Sequence, residues 1–526
     1  YWQYMLERRD LLVPQKIRER KGSFFTPKIW VEKSQEYLEK TFGVNWQDEY
    51  YIWDCCCGTG NLLAGLVNPD NIWASTLDQP DVDIIHNSID QGLNLLKSHV
   101  FVFDFLNDEF IPQSRGGKLP DKLYKIINNM ESQKKLIIYI NPPYAEAPTT
   151  RTIMGTGENR PGIAKNKTYE KYFDQLGKSS REIFVQFFIR ICNEIPVCKL
   201  ASFSTLKYVS GLAFKTFRQH FRAGFCDGFV VLANTFDNVK GNFPIGFLIW
   251  NLENKKQFKK ITCDIIENNR ELTIAQKNGI KSFYTYKNCR YINEWRSSFF
   301  KKGESRIGFL RLSGLDMQNN SKNFFTSHPS QNDIKTHLIA DITKENLIEM
   351  CIYLAVRHVF EHTWINDRDQ FLYPNDGYKK DKRFQKDCLI FSLFHNQNKI
   401  QSQNGTNDWI PFSRKDVKGK DTFKSTFMYD FLQTCGKFSK ESNAVLEAGK
   451  NLWTYYHETI KSDDNADVNA SLYDIREYFK GRTNGRMNTK STDQKFNELD
   501  QTLKDSLKNL AEIIKPKVYE YGFLLQ

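Results

Sequence analysis

The chain lacks any run of about 18 apolar residues, and its amino end has no apolar signal core, so neither a membrane-spanning helix nor Sec export is expected. It also lacks cysteine pairing: the 11 cysteines are an odd count, three of them consecutive at Cys55, Cys56 and Cys57, with no CxxC pair or paired zinc spacing among the rest. That pattern excludes a disulfide framework and fits reduced, mostly buried thiols in a cytoplasmic protein, with no metal expected. No internal repeat is detectable from about residue 256 to 526. What is present is globular in character: 40% hydrophobic, 14% aromatic and 26% charged residues, with a mean hydropathy of −0.56. Acidic residues are outnumbered, 62 Asp+Glu against 74 Lys+Arg, and the net charge of +12 favours a polyanionic partner.

At 526 residues the chain exceeds one ordinary core and divides most simply into two or three domains. Between residues 51 and 252, β-branched and aromatic runs alternate with helical patterns, the signature of an α/β sheet. Strands are expected at 50–53, 72–77, 100–103, 136–140, 199–202, 228–232 and 246–251. Phe184, Phe187, Phe188 and Ile191 recur at helical spacing and read as a core face. Residues 145–182 read as a long connection without a period, and a composition shift at Asn254-Lys255-Lys256 closes the first domain, giving 1–255 and 256–526. Near the end, Phe496, Leu499, Leu503, Leu507, Leu510 and Ile514 form an apolar stripe that Pro516 is expected to stop.

Four strand ends carry polar chemistry, and in an open parallel sheet ligands bind outside those carboxyl ends. The first, Asp54-Cys55-Cys56-Cys57-Gly58-Thr59-Gly60, is a strand end, a glycine turn and the expected start of a helix, with Gly58 and Gly60 allowing close backbone approach. Asp78, at the second strand end, suits a ribose diol, and Asp104-Phe105, at the third, suits an adenine amine and ring. Each has a plain structural reading as well: a tight turn, a solvated aspartate, a capping aspartate beside a core phenylalanine. The fourth, Asn141-Pro142-Pro143-Tyr144, is more specific. Two prolines cannot continue the ladder, so the Asn141 side-chain oxygen and the Pro142 carbonyl are left as acceptors for the two donors of an exocyclic amine.

In this order the motifs resemble the S-adenosylmethionine-dependent N6-adenine DNA methyltransferases in their gamma arrangement, over roughly residues 21–250. Lys21-Gly22-Ser23-Phe24-Phe25-Thr26-Pro27 is similar to that family's G-x-[FY]-[FY]-T-P motif. The resemblance implies a Rossmann-like class I methyltransferase sheet with helices on both faces, followed by a mixed α+β target-recognition region. It implies S-adenosylmethionine held by Phe25, Thr26, Pro27, Asp54, Cys55, Gly58, Gly60, Asp78, Asp104, Phe105 and Asn141, with catalysis at Asn141, Pro142, Pro143 and Tyr144. A flipped adenine would stack on Tyr144 and on Phe243, with Phe236 as the alternative. The Cys55-Cys56-Cys57 run departs from the family's Pro/Ala-rich approach to the glycines.

The implied activity is site-specific adenine methylation of double-stranded DNA for host modification, by a nucleoid-associated monomer. RNA adenine or protein glutamine methylation would use the same acceptors, and a catalytically inactive DNA-binding specificity or defence component is the non-enzymatic alternative. Basic clusters offer phosphate contacts at Lys380, Lys382, Arg383, Arg482 and Arg486, and within the 145–182 stretch at Arg151 and Lys165. His358-Val359-Phe360-Glu361-His362 matches an HxxEH zinc pattern but reads as chance on a buried helix spanning 347–364. No PD-(D/E)xK nuclease constellation is evident, and Tyr1 in place of an initiator Met leaves room for an upstream segment.

Overall fold

The computed structural model describes residues 26–144, 166–236, 239, 241–269, 274–300, 305–402, 405–463 and 466–526. Phe25, Arg151 and Lys165 lie outside the described residues. The chain forms two compact units, Tyr1–Lys287 and Asn288–Gln526. The division therefore falls after Lys287, beyond the boundary expected at 255, because two further strands join the first sheet.

The first unit is an α/β domain built on a nine-stranded mixed sheet in the order β3-β2-β1-β4-β5-β7-β6-β8-β9. Its strands are β1 (Tyr51–Asp54), β2 (Ile72–Thr76), β3 (Val100–Val102), β4 (Leu136–Ile140), β5 (Lys199–Thr205), β6 (Gly224–Leu232), β7 (Pro244–Asn251), β8 (Lys260–Asn268) and β9 (Ala275–Tyr284). β1 to β5 are mutually parallel and β7 runs antiparallel to both β5 and β6. Every residue of β2, β4 and β5 is buried, and burial on both faces explains the unbroken apolar run of β4, Leu136–Ile140. The order reverses at β1, which pairs β2 on one side and β4 on the other, so a crevice opens between their carboxyl ends.

Helices cover both faces. α1 (Lys28–Phe42) and α2 (Gln79–Asp90) bring Trp30, Val31, Leu38, Val82 and Ile85 onto the face of Ile52, Ala74, Ile137 and Tyr139. Successive strand side chains alternate, so Trp53 points the other way, into Phe103, Phe105 and Phe110. α4 (Ile183–Glu194) covers that second face, its Phe187 stacking on Phe105 and its Phe184 and Phe188 packing on Tyr208. Each such aromatic burial stabilises by roughly 1.5–3 kcal/mol. Before it, α3 (Lys167–Leu176) occupies part of what reads as a long structureless connection, started by the Asn166 side chain accepting from the Tyr169 amide at 2.8 Å.

The second unit holds a four-stranded sheet in the order β12-β10-β11-β13, from β10 (Arg306–Leu312), β11 (Phe324–Thr326), β12 (Leu338–Thr343) and β13 (Asn398–Lys399). Its core gathers α5 (Leu347–His358), α6 (Lys382–Phe394), α7 (Lys440–Thr459), α8 (Leu472–Lys480) and α9 (Gln494–Glu520). Pro516 does not stop α9: the helix continues to Glu520, because Val518, Tyr521, Phe523 and Leu524 beyond the proline are buried in the core and offset the lost hydrogen bond. α5 ends at His358, so Glu361 and His362 stand past the helix, exposed, and the two histidines share no helical face. His358 Nε2 instead donates to the Asn323 carbonyl, 2.9 Å away, and the ring stacks on His395. Among the described residues, no helix is long and apolar enough to cross a membrane and no His/Cys/Asp/Glu group could hold a metal.

Candidate active site

The register aligns the four strand ends. Trp53 pairs Ile138, so Asp54 stands level with Tyr139 and Asn141 follows two residues, roughly 7 Å, further along. Thr76 pairs Val102, so Asp78 and Asp104 stand level, each two residues past its strand. The polar residues of four separate segments thus share one edge of one sheet.

Asp54 closes β1 and is 1% exposed. Its carboxylate accepts from the Cys56 amide at 3.1 Å, and no ion-pair partner reaches it among the described residues. Burial pushes its pKa up to about 7, against the lowering effect of that amide. A carboxyl group so placed favours a ligand that brings a positive charge. Burial likewise pushes the Cys55 and Cys57 thiols up, so they are inert packing groups. All 11 cysteines are free.

Gly58 and Gly60 have φ of +52° and +85°, which other residues rarely adopt. A Cβ on Gly58 would meet nothing within 4 Å, so its backbone borders open space where a ligand can approach. The helix expected after this turn is only a single 3-10 turn, Asn61–Leu63. The chain tightens there because Leu62 and Leu63 must reach the core immediately.

Asp78 is the N-cap position of α2, partly exposed. Asp104 anchors its own loop: Oδ1 accepts from the Leu106 and Asn107 amides at 3.0 and 3.2 Å, and Oδ2 from Asn107 Nδ2 at 2.7 Å. Of the roughly four acceptor positions of a carboxylate, one on Oδ2 stays available. Arg190 of α4 clamps the same loop through the Phe105 carbonyl and, at 2.7 Å, the Asp108 carbonyl. Phe105 itself is a correction: its ring is 2% exposed, stacked 5.1 Å from Phe187, and offers no face to a purine. The exposed apolar group on this edge is Leu77, 56% exposed beside Asp78, which strand-pattern reasoning passes over because it sees one more apolar residue ending a strand.

Thr26 and Pro27 lead into α1. The Pro27 carbonyl accepts from the Trp30 and Val31 amides, which fixes Thr26 against the sheet. α1 is tied down further by the Ser34–Tyr139 hydroxyl contact and by Trp30 Nε1 donating to Thr235 Oγ1 at 3.0 Å. Asn141 then joins two distant segments: its Nδ2 donates to Thr26 Oγ1 at 2.8 Å, and its Oδ1 accepts from the Tyr144 hydroxyl at 2.5 Å. Pro142 is buried, Pro143 and Tyr144 half-buried, and burial pushes the Tyr144 phenol well above its ordinary range.

Phe236 is 1% exposed and packs edge-on against Phe203, which removes it as a base-stacking surface. Phe243 is half-buried and immediately precedes β7. Since Ile245 pairs Thr205 at the carboxyl end of β5, Phe243 enters at the same edge, two strands or roughly 10 Å across from β4.

Of the basic candidates, Lys380, Lys382, Arg383 and Arg486 are exposed. Arg482 is engaged within its own motif, donating to Glu477 at 2.7 and 2.8 Å, to the Tyr473 hydroxyl at 3.0 Å and to the Gly485 carbonyl at 2.9 Å. It braces the hairpin of β14 (Arg482–Thr483) and β15 (Arg486–Met487), whose Asn484-Gly485 turn has φ of +51° and +75°.

No family model and no curated protein matches the chain. Among solved structures it is similar to the DrdV–DNA complex, at 14% identity, 50% coverage of this chain, 29% of that chain and a TM-score of 0.35. It is also similar to a modification subunit assigned to a type I restriction enzyme from Vibrio vulnificus YJ016, at 12% identity, 55% and 61% coverage and a TM-score of 0.32. The Type IIL restriction-modification enzyme MmeI in complex with DNA matches at 10% identity over 94% of this chain and 76% of that chain, with a TM-score of 0.32. The chain thus spans 29% and 61% of the lengths of the first two.

Proposed function

We propose that this chain is a site-specific DNA methyltransferase that moves a methyl group from S-adenosylmethionine to adenine N6. The single observation that carries the reading is the Asn141-Pro142-Pro143-Tyr144 corner at the sheet's switch point, beside a buried carboxylate with no cation partner among the described residues. Consecutive prolines remove two backbone N–H groups, so this corner presents acceptors where an amine brings donors.

The residues present fit the cofactor. Asp54 would take its ammonium group, Gly58 and Gly60 would let its backbone-facing side approach, Asp78 would take the ribose hydroxyls, and Asp104 Oδ2 the adenine amine, with Leu77 against the ring. When bound it supplies an electrophilic methyl group. The chain's own part is positional: Asn141 Oδ1 and the Pro142 carbonyl pull on the two hydrogens of the target amine, returning electron density to a nitrogen whose lone pair is otherwise delocalised. Tyr144 and Phe243 would hold the extruded base by stacking, offsetting the few kcal/mol that unstacking costs. Orientation then supplies much of the acceleration, with no strong general base required.

The second unit would act as the target-recognition region, with Lys380, Lys382, Arg383 and Arg486 on phosphate and the recognised sequence set by base-edge contacts. Tritiated methyl transfer to duplex DNA, RNA and protein, run in parallel, tests the reading. DNA is expected to be labelled and Asn141→Ala to lose the label while still binding S-adenosylmethionine. Label on RNA or protein alone would favour the other methylation chemistries, and near-normal turnover by Asn141→Ala would remove the catalytic assignment.

A further inference from the structure

We propose that Thr26 is a positioning residue for the catalytic amide, an inference that rests on the reading above. An asparagine side chain has two ends of nearly equal shape, and a half-turn exchanges acceptor for donor. Only one orientation can work here. With Oδ1 facing the pocket, Asn141 accepts from an amine; turned over, it sets two N–H donors against the amine's own two.

The two ends of Asn141 meet very different partners. Nδ2 donates to Thr26 Oγ1 at 2.8 Å, and Thr26 is 5% exposed, held by the first turn of α1 through the Pro27 carbonyl. Oδ1 meets the Tyr144 hydroxyl at 2.5 Å, on a half-buried ring at the end of the corner. The fixed partner therefore holds the donor end, and the exchangeable partner holds the acceptor end. The Tyr144 hydroxyl stands as a donor where the target amine must stand, so an incoming base replaces one donor by another without disturbing the amide. Thr26, some 115 residues away in sequence, anchors the Nδ2 end of Asn141 and so helps keep Oδ1 toward that exchange. Replacing its oxygen by a methyl group takes the Thr26 acceptor from Nδ2 and weakens the hold on the amide in this orientation.

The test compares wild type, Thr26→Val, Thr26→Ser and Asn141→Ala in the full chain. Turnover is measured with tritiated S-adenosylmethionine at saturation on long natural duplex DNA, cofactor affinity by calorimetry, and Tm by thermal unfolding. Thr26→Val is expected to lower kcat at saturating cofactor roughly 10-fold, the loss of one buried hydrogen bond, beyond any change in cofactor Kd, and Thr26→Ser to recover most of the rate. Three results would overturn the proposal: unchanged kcat in Thr26→Val, a loss fully explained by weakened cofactor binding, or a loss and a Tm drop shared equally by Thr26→Ser. Wild type without turnover would reject the parent reading, and this inference with it; wild-type turnover lost in Asn141→Ala but kept in Thr26→Val would reject this inference alone.

Discussion

Asp54 in the first unit and Asp500 in the second are both buried carboxylates, 1% and 2% exposed, and the chain treats them in opposite ways. Asp500, on α9, is surrounded by Arg476 Nε at 3.0 Å, Lys480 Nζ at 3.1 Å and Lys504 Nζ at 2.9 Å. Despite its burial, those cations hold its carboxyl well below the ordinary range. Asp54 has only Cys56, through its amide and its side chain, and no cation among the described residues, and burial raises it to about 7. Taking an ion out of water costs several kcal/mol, so a buried acid is stable only when something offsets that cost. Asp500 is offset by the protein and fastens α8 to α9; on the proposed reading, Asp54 is left for a ligand to offset.

The largest effect expected from breaking this contrast is on stability. Asp500→Asn strands Arg476, itself buried, and should cost about 3–5 kcal/mol in denaturant unfolding. Asp54→Asn should leave unfolding unchanged or slightly improved, and weaken S-adenosylmethionine binding by roughly 10- to 100-fold, the worth of a hydrogen bond to a charged group. If both variants unfold alike, the distinction between a structural and a ligand-directed acid is wrong.

Titration sharpens the same comparison. The folded-state pKa of Asp54 lies above the unfolded value of about 4, so its ionisation costs stability as pH rises through about 7. A cationic ligand needs the ionised form, so cofactor affinity should rise with pH to about 7 and then level off, a dependence lost in Asp54→Asn. Asp500 runs the other way: its contribution is present above the unfolded value of about 4 and is lost as pH falls toward its depressed folded value. The smallest effect concerns two arginines of one hairpin. Arg486→Ala should reduce the salt slope of DNA binding by about 1, whereas Arg482→Ala, whose donors are spent on Glu477, Tyr473 and Gly485, should leave that slope unchanged.

The strands β1 to β7 are legible because a sheet buried on both faces favours runs rich in β-branched and aromatic residues, and the turns at their ends stand out against them. β8 and β9 escape the sequence pattern of this unit: Ala275–Tyr284 lies at the sheet's edge, largely exposed, with no apolar period to declare it. Proline at 516 reads as a stop when only local propensity is weighed, and burial of Val518 and Phe523 outweighs it. In the site, the residue types of Asp54, Asp78, Asp104 and Asn141 were readable from position alone. Phe105 was not, since an aromatic after a strand looks the same whether it faces a ligand or Phe187. Nor was the tie between Thr26 and Asn141, which only the folding of α1 onto β4 creates.

Single-molecule sequencing of DNA from a host expressing this chain tests the central claim most directly. The account predicts N6-methyladenine in one fixed sequence context with the wild-type chain and none with Asn141→Ala. Unmodified DNA from an expressed, folded wild type, or the same marks in the variant, would contradict it.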